Sequence, residues 1–270
     1  MATDSPLRQL TTPIQLGRWS LVAALINPLA VMAWEKTVTL HSQGTDNRTQ
    51  VDQSASEGNS LIQIDQISDS IGINQAGVIG SPIRQAGAAH VVMLSQDARG
   101  LPSGPMGNRF SSDQSGLGMH IDARQGGGGD QAYVVQRGEA ANSLKLQQSG
   151  NARLDTALQD SGSEGEGLSA NVRQTGGGRI GALTQSGNNN SLDIQQDKTG
   201  LGGELALDVS QSGLGNRLNV SQQTQEGSAT VSQTGKNNQL SFTQDQPIYG
   251  ISVSQTGTGA NVSIYNNPAP

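Results

Sequence analysis

The stretch VSQTGKNNQLSFTQ, residues 231–244, says the same short phrase twice. Val231-Ser232-Gln233 and Phe242-Thr243-Gln244 each put an apolar residue two places before a glutamine, and the two glutamines are eleven apart. Working outward from this stretch, the phrase recurs at Gln185, Gln196, Gln211, Gln222, Gln233, Gln244 and Gln255, in steps of eleven except for one of fifteen. Towards the N-terminus the series continues through Gln174, Asp160 (read as occupying a glutamine slot), Gln148, Gln136, Gln125 and Gln114. With looser spacing it runs on through Gln96, Gln85, Gln75, Gln66 and Gln53. The repeat therefore covers residues 71–266, with degenerate first copies in 34–70 and a short tail at 267–270.

Each unit reads apolar-x-apolar-x-Gln, as in Leu218/Val220/Gln222, Ile251/Val253/Gln255 and Ile71/Ile73/Gln75. Residues two apart share one face of a β-strand, so both apolar side chains and the glutamine point the same way. An Asn six places before the glutamine has the same parity, as at Asn142, Asn190, Asn216 and Asn238. Between strands lies turn chemistry: QSGNNN, QSGLGN and QTGKNN place Gly187, Gly213 and Gly235 after the glutamine, with Gly257 in the same position after Gln255. Glycine takes positive φ without penalty, and Asn tolerates the left-handed region. Alternate units turn later, so the full repeat is about 22 residues of strand, turn, strand and turn. A helix would need apolar residues at i, i+3, i+4 and i+7, a pattern this chain lacks.

Composition narrows the class. Of the 270 residues only 33% are hydrophobic and 3% aromatic, there are 36 glycines, and charged residues make up just 14%. An outer-membrane barrel needs a lipid-facing apolar band and aromatic girdles, which this composition does not supply. The pattern predicts an all-β solenoid of about ten 22-residue coils with two facing parallel sheets. Successive coils lie roughly 4.8 Å apart, so equivalent residues stack. A glutamine amide is both donor and acceptor, and identical amides in register bond along the stack. No polar capping segment is legible at the C-terminal end, and unpaired strand edges template further strands. The expectation is a cross-β fibre grown end to end.

Residues 1–33 read as a secretory signal peptide. Arg8 and Arg18 flank the apolar run WSLVAALINPLAVMA, and Val31-Met32-Ala33 has the form of a cleavage site. Removing Arg8, Arg18 and Asp4 leaves 14 basic against 21 acidic residues, so no basic stripe points to nucleic acid. The chain has no cysteine and thus no disulfide to draw on.

The residues Gln185-x-Gly187-x2-Asn190-x5-Gln196, Gln211-x-Gly213-x2-Asn216-x5-Gln222 and Gln233-x-Gly235-x2-Asn238-x5-Gln244 resemble the curlin repeats of curli fibre subunits, and Ser60-x5-Gln66 keeps the opening serine of that pattern. The resemblance implies a secreted functional-amyloid subunit of extracellular adhesive fibres at the cell surface, serving adhesion and biofilm matrix. It also implies an outer-membrane secretion pore and a separate nucleating subunit as partners. The chain departs from the family in having about twice the usual number of repeats. Inserts at 97–113 and 160–173 also interrupt the phase.

Other chemistry is weakly signalled. GGGRIG (176–181) satisfies a dinucleotide fingerprint but lies between two repeat strands, where it reads as a turn. GGGGD (126–130) is similar to calcium-binding β-roll repeats, yet its acid is misplaced and the motif does not recur. His41, His90 and His120 share no repeat phase and read as surface groups, and the scattered acids suggest no catalytic cluster. No enzyme activity, metal or cofactor is expected. Lys145, Asp193, Asp208, Arg217, Lys236 and Asp245 read as outward or turn positions, a solvated face; the sharper alternative is that they slow premature assembly, since stacked like charges repel. The rival functional reading is a secreted solenoid adhesin that does not polymerise.

Overall fold

The structure is a computed structural model, and it describes residues 20–21, 36–44, 47–68, 74–77, 81–99, 107–163, 166–197, 205–222, 227–244 and 248–266. The described residues form strands and turns, and every strand pairing is parallel. A ten-stranded sheet, here sheet B, contains in order Lys36–Gln43, Ser60–Ser68, Val91–Ala98, His120–Gly126, Ser143–Ser149, Ser169–Thr175, Ser191–Asp197, Arg217–Gln222, Gln239–Gln244 and Asn261–Asn266. The facing sheet A has twelve strands. Seven long ones run in succession: Arg109–Leu117, Gln131–Gly138, Arg153–Ser161, Arg179–Asn188, Leu205–Leu214, Gly227–Lys236 and Ile248–Thr258. Before them come the short pieces Ser20–Leu21, Arg48–Thr49, Val51–Asp52, Gln75–Ala76 and Ile83–Ala88.

The chain crosses from sheet B to sheet A and back in each coil, so from Val91–Ala98 onward strands adjacent in sequence lie in opposite sheets and strands of successive coils pair. This is a β-solenoid, as the period predicts, but with about eight turns instead of ten. The reason is coil length. Glutamines equivalent in sheet A run from Gln53 to Gln255 in eight steps, and the bonded ones lie 22 to 32 residues apart because inserts and bulges lengthen many coils. The signal-peptide assignment to residues 1–33 lies outside the described residues except for Ser20–Leu21, which pair with Arg48–Thr49. The tail at 267–270 and residues 100–106 of the insert at 97–113 also lie outside them.

Alternation of burial follows the parity of the sequence. Ser143–Ser149 and Ser191–Asp197 each bury the two aliphatics and the glutamine and turn the intervening residues outward. Each sheet thus contributes two aliphatic columns to a dry core that runs the length of the stack. Leu144, Leu146, Ile180, Leu183, Ile194 and Val220 are among its members. Large and small residues alternate where space demands it: the Phe110 ring is flanked in its column by Ala76 and Ala132. Full burial of one such side chain stabilises by about 1.5–3 kcal/mol, against about 1–2 kcal/mol per residue for ordering the backbone. A lone coil cannot fold on these terms, and packing against neighbours on both sides makes up the difference.

The sheet A to sheet B turn explains the Gln-x-Gly-x2-Asn spacing. Gly213 has φ 110° and Gly215 has φ 65°, and Asn216 follows buried. A Cβ on Gly213 would run into the carbonyl of Gly235 in the next coil, so the position requires glycine for both φ and space.

Candidate functional site

The chemistry-bearing side chains converge in two buried amide ladders, one at the inner margin of each sheet. In sheet A, each Nε2 donates to the Oε1 of the next coil along Gln53, Gln85, Gln114, Gln136, Gln159, Gln185, Gln211 and Gln233, at 2.7–3.3 Å. In sheet B the ladder runs through Gln66, Gln96, Gln125, Gln148, Gln174, Gln196 and Gln222 at 2.8–2.9 Å. Every one of these bonds points the same way, donor towards the C-terminal coil.

The second amide hydrogen closes the sandwich. Gln125 Nε2 also donates to the Arg109 carbonyl of the facing sheet at 2.8 Å, and Gln136 Nε2 donates to that of His120 at 3.2 Å. Gln174 and Gln185 do the same to Arg153 and Ser169. Each of these amides therefore ties its coil both to the next coil and to the opposite sheet. This accounts for glutamine, with two N–H donors on a long stem, at a position that an aliphatic could otherwise fill.

Two positions need correction. Gln75 is half-buried at the head of a short strand, in register with Arg48 and Arg109, so it lies outside both ladders. It stands nine residues after Gln66, off the period. Asp160 points outward, and the slot belongs to Gln159, fully buried between Gln136 and Gln185. The period itself identifies Gln159, eleven residues after Gln148 and two after the buried Ala157. Gln244 is in backbone register with Gln222, and its side chain lies outside the described residues. Gln255 is the last member of the sheet A column, opposite Gln233.

The asparagines act differently from the glutamines. Asn190, Asn216 and Asn238 stack, but each Oδ1 accepts a backbone N–H from the next coil, and each Nδ2 donates to a carbonyl four residues earlier in its own turn. Asn142 follows the same plan, with Nδ2 on the Arg137 carbonyl and Oδ1 on the Leu168 N–H. They pin the turn to the strand and to the neighbouring coil. A second asparagine column at the head of sheet A, Asn47, Asn74 and Asn108, does bond amide to amide, at 3.2 and 3.3 Å. Asn47 and Asn108 stand six residues before Gln53 and Gln114, so the same spacing would have disclosed them.

Two titratable groups sit where other coils place small or amide side chains. His90, expected at the surface, is fully buried, with its Nε2 on the Ala86 carbonyl at 2.8 Å and its Nδ1 against the Met119 N–H. Burial pushes its pKa below the ordinary histidine value. Asp130 is also fully buried, and burial raises its carboxyl to about 7 against the pull of three backbone N–H groups. His41 is exposed and bonds Asp65, while His120 is half-buried. Among the described residues no group of His, Asp or Glu could hold a metal. Lys145, Asp193, Asp208, Arg217 and Lys236 are exposed, and Asp245 lies outside the described residues.

The C-terminal end of the stack differs from its interior. Gln255 is only 4% exposed, yet neither its Nε2 nor its Oε1 has a partner, and Gln233 Nε2 lacks its ladder bond. Ile251, Val262 and Ile264 of the last coil are only partly buried, as are Val38 and Leu40 at the other end. A Cβ on Gly257 would meet nothing, whereas its counterparts Gly187, Gly213 and Gly235 are each covered by the next coil. Compared with known proteins, the chain matches no family model, no curated protein and no solved structure.

Proposed function

We propose that this chain is a structural subunit that polymerises end to end into an extracellular, curli-like cross-β fibre for adhesion and biofilm matrix. One observation carries the reading: the last bond of the sheet A ladder reaches Gln233, and Gln255, in the last described coil, is buried with neither side-chain polar atom hydrogen-bonded. An unmet buried donor costs about 1–3 kcal/mol, and a further coil laid on that end would offer the acceptor that Gln255 Nε2 lacks. The uniform direction of the ladders makes the addition head to tail, since a donor end meets an acceptor end. The aliphatics left half-covered at both ends would be buried in the same step. Export through an outer-membrane pore, nucleation by a second subunit and placement at the cell surface rest on the N-terminal sequence and the repeat resemblance.

The test is direct. Residues 34–270, incubated at micromolar concentration, bind an amyloid dye, form unbranched fibres by electron microscopy, and diffract with a meridional spacing of roughly 4.8 Å. Protein that stays monomeric for days overturns the proposal and favours the non-polymerising adhesin.

A further inference from the structure

The outward face of sheet B carries a groove that runs along the stack over three coils. Two columns of residues in register border it. Ser95, Arg124, Gln147 and Arg173 follow one another in the first, and Gly126, Ser149 and Thr175 in the second, two residues further along each strand. Together they line a solvent-open cavity of about 380 Å³. The second column makes the depression, because its residues are small. A Cβ on Gly126 would meet no atom within 4 Å, whereas Arg124, Gln147 and Arg173 carry long side chains.

Charge is uneven around this groove. The strands His120–Gly126, Ser143–Ser149 and Ser169–Thr175 turn Arg124, Lys145 and Arg173 outward against one carboxylate, Asp122, although the whole chain carries a net charge of −6. Arg124 Nε stands 3.8 Å from Asp122, beyond hydrogen-bond reach, and Arg173 has no ion pair among the described residues. Acids mark the two ends. Asp97 bonds Arg99 at one, and Asp197 accepts from Thr175 and Gln195 at the other. Gln147 and Ser149, in between, are polar and uncharged.

We infer that the groove binds an acidic polysaccharide in which carboxylate-bearing sugars alternate with neutral ones. Arg124 and Arg173 take two carboxylates, and Gln147 and Ser149 meet the hydroxyls of the neutral sugar between them. A guanidinium offers two parallel N–H donors that match a carboxylate, which a lysine does not. The two arginines are separated by two strand spacings, roughly 10 Å. Two linked sugars span a comparable length, so the polysaccharide lies along the stack. A nucleic acid fits worse. No aromatic side chain lines the groove for base stacking, and the acids at its ends repel a backbone charged at every nucleotide. The inference stands whether the chain is a monomer or a fibre subunit.

Calorimetric titration of the full chain with hyaluronan oligosaccharides, which alternate glucuronate with a neutral amino sugar, tests it at physiological ionic strength. Arg124→Gln combined with Arg173→Gln is expected to weaken binding roughly tenfold, as for two solvent-exposed ion pairs. Arg137→Gln combined with Lys236→Gln removes the same charge from the opposite sheet, and screening should keep its effect below about twofold. Equal weakening by the two pairs, or no binding by the native chain, overturns the proposal. Single-stranded DNA bound as tightly, with the same arginine dependence, overturns it too. Should the arginine pair not fold, amide chemical shifts of the native chain decide instead. Hyaluronan that shifts Arg124, Gln147 and Arg173 together supports the groove, and shifts confined to other strands refute it.

Discussion

Replacing one glutamine by leucine at two points of the same ladder tests whether the amide column holds the stack together. Gln136 makes two side-chain donations, to Gln159 Oε1 at 2.7 Å and the His120 carbonyl at 3.2 Å, and accepts one from Gln114 at 2.9 Å. Gln136→Leu strips the acceptor from Gln114 Nε2 and the donor from Gln159 Oε1, both in buried residues. At about 1–3 kcal/mol for each stranded polar atom, the loss is about 2–6 kcal/mol, reduced by the extra apolar burial of leucine. A net loss of about 2–4 kcal/mol is expected, roughly thirty- to a thousandfold in local opening. Gln255→Leu is the same chemical change where the amide has no partner, so it removes two unsatisfied atoms and costs the single molecule nothing. Native-state hydrogen exchange of Arg109–Leu117, Gln131–Gly138 and Arg153–Ser161 reads the first variant, because repeat stacks open locally and one melting midpoint averages over them. Equal effects at the two positions, or a neutral Gln136→Leu, would refute the ladder as a source of stability. If the fibre proposal is right, Gln255→Leu also slows elongation while leaving the monomer intact.

Three further outcomes follow. Gly213→Ala meets the Gly235 carbonyl and an unfavourable φ together, while Gly257→Ala meets only the φ, so the first should lower the melting temperature further, by at least about 1 kcal/mol equivalent. His90 is buried neutral with a lowered pKa, so its contribution is complete above the ordinary histidine value and is lost as pH falls. His90→Asn should therefore flatten the fall in melting temperature between pH 7 and pH 5, and an unchanged fall would show that burial does not hold the imidazole neutral. Ser112 Oγ is buried without a partner in a column beside Val134, so Ser112→Ala should stabilise by about 1 kcal/mol in urea unfolding, and destabilisation would reveal a hydrogen bond absent from this structure.

How much was legible can be traced residue by residue. The period-two alternation placed Leu218, Val220 and Gln222 on one face, and the structure buries all three, because parity is a property of the strand itself. Gly213 was legible for the same local reason: a turn that needs positive φ names its residue. Gln75 misled because it follows an apolar-x-apolar phrase off the period, and Asp160 misled because the sheet A strand Arg153–Ser161 carries a register irregularity at Asp155–Thr156. His90 and Asp130 stand six residues before Gln96 and Gln136, the inward place that asparagine fills in other coils, so the spacing pointed to their burial; which backbone groups they bond depends on how the next coil docks.

By itself, then, the sequence determined which face of each strand turns inward, that the chain repeats by coils, and that amides recur at matched places along it. All of these follow from interactions within a few residues. Only the tertiary structure decided the number of turns, the shared direction of the amide bonds, their second bond across to the opposite sheet, and the backbone groups that meet one buried acid and one buried imidazole. Those depend on which residues of separate coils come into register, and inserts of varying length between the coils leave that register open until the stack is assembled.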